Sequence, residues 1–449
     1  MLKKILGLIG LCLTLTACGQ GGGGGSTSSS GAGSTSSSTP ASGTTGTTTT
    51  TPPAPLSNFA TITVDGGPAA LGVGPNAYIA ANTPYVSVIL CAPGSTTNCQ
   101  TVDHVLVDNG SVGLRIFASV INASLLSALP LETDPNSNPV GSCYGFVDGY
   151  MFGSVRQADF QVGGETVANM PFMAVADAGV FSTVPGSCSS GGGSNLNGVQ
   201  AFGANGVMGI GVTPTDCGAA CTRAGGSGAA TYYDCPNTGC GAIVSRISSA
   251  SAPFQQLPNP VAAMSVDNNG TIISLPAAPN AGQATMTGTL YFGIGTQTNN
   301  SLGSATVLAN SSAGVGLLTA TYNGVSLNES FLDSGTNLYF FVDRTIATCT
   351  QSQLQGYYCP TTPETLSPTL QSQNGASVSA AFTLNNAQML ASSNFAVLPG
   401  IGANPNLVGV LSAYPHSFDF GVPFFYGRNV YTAIEGRSAG GLTGPYFAY

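Results

Sequence analysis

Charge is the scarcest commodity in this chain. Asp, Glu, Lys and Arg make up only 6% of its 449 residues, against roughly a quarter in ordinary globular domains. There is no Trp, there are two His, and both Lys, Lys3 and Lys4, stand at the extreme N-terminus. Beyond them, seven Arg face 18 acidic residues, a net charge of −11. A face basic enough to displace condensed counterions cannot be built from that supply, which excludes nucleic acid as a partner. With only His104 and His416 available, a Ser-His-Asp triad has little to draw on. His104 lies in an apolar strand four residues before Asp108, and no nucleophile elbow is present. Two His and paired Cys also argue against a transition-metal site. Nothing beyond the N-terminal region has 18 consecutive apolar residues, so no later segment is expected to span a membrane as a helix. Apolar residues at 43% are nonetheless ample for a core, which excludes global disorder.

The N-terminus has the form of an export signal. Lys3-Lys4 precede a short apolar stretch, residues 5–17, that ends in Leu15-Thr16-Ala17-Cys18. The pattern resembles a bacterial lipobox. Residues 1–17 are then a lipoprotein signal peptide, and Cys18 takes lipid (a diacylglyceryl group with palmitate-type chains) as the new N-terminus. An ordinary signal peptide with a chance Cys is the alternative. Residues 18–55 are almost wholly Gly, Ser, Thr, Pro and Ala, a composition that buries no core and makes a disordered tether. The expected location is the bacterial cell envelope, periplasm-facing or at the surface. Gly19 after the lipidated Cys favours the outer membrane over the inner.

Ten Cys remain in residues 56–449, an even number in an oxidising compartment, which favours disulfides. Sequence proximity suggests Cys91–Cys99, Cys349–Cys359 and Cys143–Cys188. Cys217, Cys221, Cys235 and Cys240 form a further cluster of two bridges, with a four-thiolate zinc site as the rival reading.

The globular part reads as strands. Ala60–Val64, Val86–Leu90, Val102–Val107, Phe160–Val162 and Thr289–Phe292 are short, rich in β-branched and aromatic residues, and mostly bounded by turn formers. Ser119–Leu129 and Phe254–Met264 are the helix candidates. Asp65-Gly66-Gly67 and Asp267-Asn268-Asn269-Gly270 read as hairpin turns, and Gly186–Gly198 as a flexible, exposed loop.

Two segments repeat one pattern. Leu106-Val107-Asp108-Asn109-Gly110-Ser111 and Phe331-Leu332-Asp333-Ser334-Gly335-Thr336 each run apolar, apolar, Asp, small polar, Gly, hydroxyl. A single such motif is an ordinary turn; two exceed chance. An apolar strand delivers each Asp to a buried turn, Gly permits close backbone approach, and the hydroxyl can fix the carboxylate. Two facing loops bring two carboxylates together, and like charges that close share one proton. One then serves as general base on a water and the other as general acid on a carbonyl oxygen.

In these features the chain resembles the pepsin-like, two-lobed aspartic peptidases. That family has one Asp loop per lobe and a later apolar-apolar-Gly strand threaded beside each. The matching strands are Val207-Met208-Gly209 and Asp419-Phe420-Gly421. Tyr144-Gly145, followed by Gly153 and Phe160–Gly164, resembles the family's flap hairpin and the strand after it. Leu290–Gly295 is similar to the opening of the second lobe, and Gly421–Phe425 with Arg428–Ile434 to the last strands. The layout is also similar to that of an uncharacterised family of bacterial lipoproteins. Three departures stand out. Asn109 replaces the Thr or Ser whose hydroxyl braces the two loops. Asp419 and Phe420 replace an aliphatic pair. The flap aromatic could be Tyr144, Phe146 or Tyr150.

The resemblance implies an all-β, bilobal fold with a central cleft. An N-terminal lobe spans 56–260, with the first Asp loop and the Cys-rich insertion, and a C-terminal lobe spans 261–449 with the second. It implies Asp108 and Asp333 as catalytic, supported by Asn109, Gly110, Ser111, Ser334, Gly335 and Thr336, with Tyr144 on the flap. The reaction would be hydrolysis of an extended peptide or protein without metal or organic cofactor. The other reading is a catalytically inactive lipoprotein of the same fold that binds a peptide, a glycan or an envelope partner.

Overall fold

The computed structural model describes residues 57–190, 193–217, 230–236, 240–242, 256–311, 314–373, 375–408 and 416–449. The signal peptide, Cys18, the tether and Cys221 lie outside the described residues, as does much of the Cys-rich insertion.

Strands dominate, and the first joins the two halves. In β1 (Phe59–Val64), Ala60, Ile62 and Val64 are buried in alternation with more exposed neighbours, as a half-buried strand requires. One edge of β1 pairs antiparallel with β11 (Met286–Phe292), from Phe59↔Tyr291 to Val64↔Met286. Its other edge meets β2 (Pro84–Cys91). A single sheet therefore crosses from one lobe to the other. On the first-lobe side it continues through β3 (Cys99–Asp108), β8 (Gly206–Ile210), β4 (Val112–Phe117), β7 (Glu165–Val175), β6 (Gly149–Val162), β5 (Val140–Gly145) and β9 (Ala230–Asp234). On the other side it continues through β10 (Gly270–Leu275), β17 (Arg428–Ala433) and β18 (Tyr446–Ala448). A second sheet holds β12 (Leu318–Tyr322), β13 (Val325–Leu332), β16 (Asp419–Phe420), β14 (Tyr339–Phe340) and β15 (Gly402–Ala403) in that order.

The two halves repeat one construction. β8 lies between β3, to which it is parallel, and β4, to which it is antiparallel. β16 lies between β13, parallel, and β14, antiparallel. Each Asp loop thus leaves one strand and enters the next with a third strand threaded between them. This is the all-β, bilobal, pepsin-like architecture that the family resemblance implied. Stacked rings fill the core of the second half: Phe418 lies 4.3 Å from Phe420 and 4.7 Å from Phe341, centroid to centroid.

Four local expectations need correction. Residues 256–264 of the Phe254–Met264 candidate form turns rather than a helix, because Pro258 and Pro260 supply no backbone N–H. Ser119–Leu129 yields only a short helix, Ala123–Ala128, after a 3-10 turn at Ala118–Val120. Neither Asp65-Gly66-Gly67 nor Asp267–Gly270 closes a hairpin. The first is an Asx turn, Gly67 N donating to Asp65 Oδ1 at 2.8 Å, ahead of a long connection to β2; the second leads from a turn region into β10. The described residues of the Gly186–Gly198 stretch are mostly exposed, as expected, and include a helical turn at Gly186–Ser189 whose Cys188 is bonded to Cys143 on β5.

Candidate active site

Asp108 ends β3 and Asp333 follows β13. Each carboxylate is held within its own loop in the same way. Gly110 N donates to Asp108 Oδ1 at 2.8 Å, and Ser111 Oγ donates to Asp108 Oδ2 at 2.5 Å. Gly335 N donates to Asp333 Oδ1 at 2.7 Å, and Thr336 Oγ1 to Asp333 Oδ2 at 2.8 Å. The strands threaded alongside run at Val105↔Gly206 through Asp108↔Gly209 and at Phe331↔Asp419 and Leu332↔Phe420.

The two loops face each other closely. A Cβ on Gly110 would stand 2.6 Å from Asp333 Oδ1, and one on Gly335 would stand 2.6 Å from Asp108 Oδ1. Only glycine lets each carboxylate lie over the opposite loop. Each carboxyl acts on the ionisation of the other. Neither has any exposed surface.

Asn109 braces the loops in a way its larger side chain makes possible. Its Oδ1 accepts from Ser334 N at 2.7 Å, while its own backbone N donates to Ser334 Oγ at 3.0 Å. Ser334 Oγ donates in turn to Val107 O at 2.9 Å. Asn109 Nδ2 reaches Thr432 Oγ1 on β17 at 3.1 Å, tying the first loop to the shared sheet as well.

Burial is the largest influence on both carboxyls and pushes both upward. The partners differ. Asp108 is relieved by Ser111, by Gly110 N and, more weakly, by Arg115. Asp333 is pushed further up by Asp108 and by Asp419, and its relief from Thr336 and Gly335 N is smaller. Burial and the mutual repulsion of the two carboxyls favour one proton shared by the pair.

The β5–β6 hairpin carries the aromatics expected on a flap, Tyr144, Phe146 and Tyr150. Its turn is closed by Phe146 N donating to Gly149 O at 2.7 Å. Val147 at the tip packs against a cluster that joins Ala81 of the first lobe to Phe331 and Leu338 of the second. Tyr144 is buried below the tip, its ring 3.5 Å from the Arg115 guanidinium and edge-on to Phe146. Arg115 is itself buried. It donates to Val112 O at 2.8 Å and to Asp216 Oδ2 at 3.3 Å, and Tyr232 O–H donates to Asp216 Oδ1 at 2.8 Å. Burial pushes Asp216 up to about 6 even with Arg115 and Tyr232 drawing it down. An Arg inside the apolar run Val112–Phe117 was the available signal for this network. The outer edge of the hairpin is covered by β9, from Ala230↔Tyr144 to Asp234↔Val140.

Disulfides join Cys91–Cys99, Cys143–Cys188, Cys235–Cys240 and Cys349–Cys359. Cys217 is also disulfide-bonded. Those bonds leave Cys217, Cys235 and Cys240 no thiolate to offer, which overturns the zinc alternative. His104 is paired with Asp65 at 3.3 Å and Asp103 at 3.2 Å, which raises its pKa and gives it a structural partner.

Two matching Asp loops, each with a strand threaded beside it, complete an all-β, bilobal fold of pepsin-like form. Residues 54–449 match the family described as "Protein of unknown function (DUF3443)", and the chain belongs to that family. No curated protein matches by sequence. Among solved structures, the chain is similar to the aspartic proteinase from Irpex lacteus, at 13% identity and a TM-score of 0.45, over 87% of this chain and 96% of that one. At that distance nothing about activity follows.

Proposed function

We propose that this chain is an aspartic endopeptidase of the bacterial envelope, tethered by lipid on Cys18, that hydrolyses extended peptides with the Asp108–Asp333 pair. The observation that carries the reading is the mutual placement of the two carboxyls, each over the other loop's glycine. Asp108, ionised, takes a proton from a water whose oxygen adds to the scissile carbonyl carbon. Asp333 gives its proton to the carbonyl oxygen, leaving a gem-diol. Asp108 then passes its proton to the departing nitrogen, the C–N bond breaks, and a diol proton returns to Asp333. Atoms and charge balance without a metal. The substrate would enter as a strand, through backbone pairing beneath the hairpin.

A second reading keeps the fold and the tether but assigns binding of a peptide, glycan or envelope partner without chemistry. It is favoured by the complete burial of both Asp and by the packing of Val147 against the cluster that joins the lobes. An unfolded protein offered at about pH 4–5, near ordinary carboxyl pKa values, separates the two. Endopeptidase activity predicts cleavage by the wild type and its loss in Asp108→Asn and in Asp333→Asn. Cleavage unchanged in those variants refutes the assignment. Saturable binding without cleavage supports the second reading.

A further inference from the structure

Asp419 has no role in the proton transfers above, yet it lies beside them. On β16 it pairs with Phe331 of β13 and Phe340 of β14, so these three side chains share one face of the sheet. Asp333 follows Phe331 by two residues and returns to that same face. Phe418 and Phe420 stack together on the other face. Asp419 has no exposed surface, and neither of its carboxyl oxygens has a hydrogen-bond partner among the described residues. The Thr336 hydroxyl reaches toward it but is spent on Asp333 Oδ2.

The groups facing it are few. From β13 come Asp333 and, further back, Glu329; across the site stands Asp108. β14 offers Phe340 on this face, with Tyr339 turned to the other. His416, before the strand, is exposed. No cation among the described residues pairs with Asp419. An ionised carboxylate there would have neither donor nor counter-charge, so it takes up a proton instead.

We propose that Asp419 is a third carboxyl of the site, protonated beside Asp333, so that two protons are stored on three carboxyls. It is a positioning residue for the dyad's proton and does not touch the reacting atoms. Burial drives Asp419 upward, and Asp419 adds to the upward push on Asp333. Asp419 adds no charge to the site while it keeps its proton; once it ionises, its charge holds the proton on Asp333 more tightly. The alkaline limb of activity, a consequence that rests on the endopeptidase reading, therefore lies at higher pH with Asp419 than without it.

The test compares full-length wild type with Asp419→Asn and Asp419→Leu, the second securing the comparison should the first fail to fold. Infrared titration through neutral pH should show one protonated-carboxyl C=O component more in the wild type than in either variant. Stability gives a second readout. The unfolded Asp releases its proton near pH 4 while the native one holds it. The wild-type folding constant should therefore fall up to an extra tenfold per pH unit above that point, relative to either variant. If cleavage is present, its alkaline limb moves to lower pH in Asp419→Asn. Absence of that extra component together with identical pH slopes overturns the proposal. A chain that cleaves nothing but shows the component and the slope retains it while losing the endopeptidase reading.

Discussion

Replacing Asn109 with Ala is the sharpest perturbation of the brace between the loops. The change removes two side-chain hydrogen bonds, to Ser334 N at 2.7 Å and to Thr432 Oγ1 at 3.1 Å. Ser334 N–H is then buried without its acceptor, at about 1–3 kcal/mol, and the lost Thr432 bond adds about 1 kcal/mol. The backbone donation from residue 109 to Ser334 Oγ, and from there to Val107 O, survives the substitution. The brace is weakened but not abolished, and the expected loss of stability is about 2–4 kcal/mol. Asn109→Thr should lose less, because a hydroxyl can still accept from Ser334 N. Ser334→Ala removes the complementary half, and the double variant should depart from additivity by about 0.5–3 kcal/mol, as coupled neighbours do. The assay is urea unfolding, read as a shift in midpoint at constant slope. An Asn109→Ala variant within about 0.5 kcal/mol of wild type, the range of ordinary surface changes, would refute the claim that Asn109 couples the lobes.

Three other outcomes follow from the same geometry. Gly335→Ala places a Cβ 2.6 Å from Asp108 Oδ1, so cleavage should collapse while the far-ultraviolet spectrum stays native. Glu165 is pushed up to about 7 by burial and by Asp267. A raised carboxyl costs stability as pH climbs from its unfolded value, near 4.3, to its folded one. Glu165→Gln should therefore be more stable than wild type at neutral pH, by up to roughly 3 kcal/mol, with the gain vanishing by pH 4 in a denaturation series. Replacing Cys143 and Cys188 with Ser opens a loop spanning 45 residues. The chain-entropy cost is about 4 kcal/mol, and limited proteolysis should then cut first in the β5–β6 hairpin.

Much of the architecture could be read from local signals. The two Asp loops and their threaded strands announce themselves because each is one short run: an apolar pair sets the strand, Asp and Gly set the turn, and the hydroxyl sets the carboxylate. Val207-Met208-Gly209 and Asp419-Phe420-Gly421 lie beside those loops, as the resemblance to the pepsin-like family implied. What escaped was built from distant partners. Arg115, Asp216 and Tyr232 meet only through tertiary packing, as do Glu165 and Asp267. Asn109 could be identified as a departure, but its second bond, to Thr432, depends on a strand more than 300 residues away. Tyr144 sits on the hairpin as expected, yet its ring belongs to the stack over Arg115, and Val147 is what packs against the cluster joining the lobes. The anchored Gly186–Ser189 turn was hidden because Gly and Ser composition says nothing of a disulfide that pins the segment.

The central claim is a hydrogen shared by two buried carboxyls, and neutron diffraction from deuterated crystals near pD 5 tests it most directly. A single deuteron between Asp108 and Asp333, with Ser111 and Thr336 donating to the outer oxygens, is the expected result. Two bare carboxylates, or acids turned apart with a deuteron on neither facing oxygen, would contradict it.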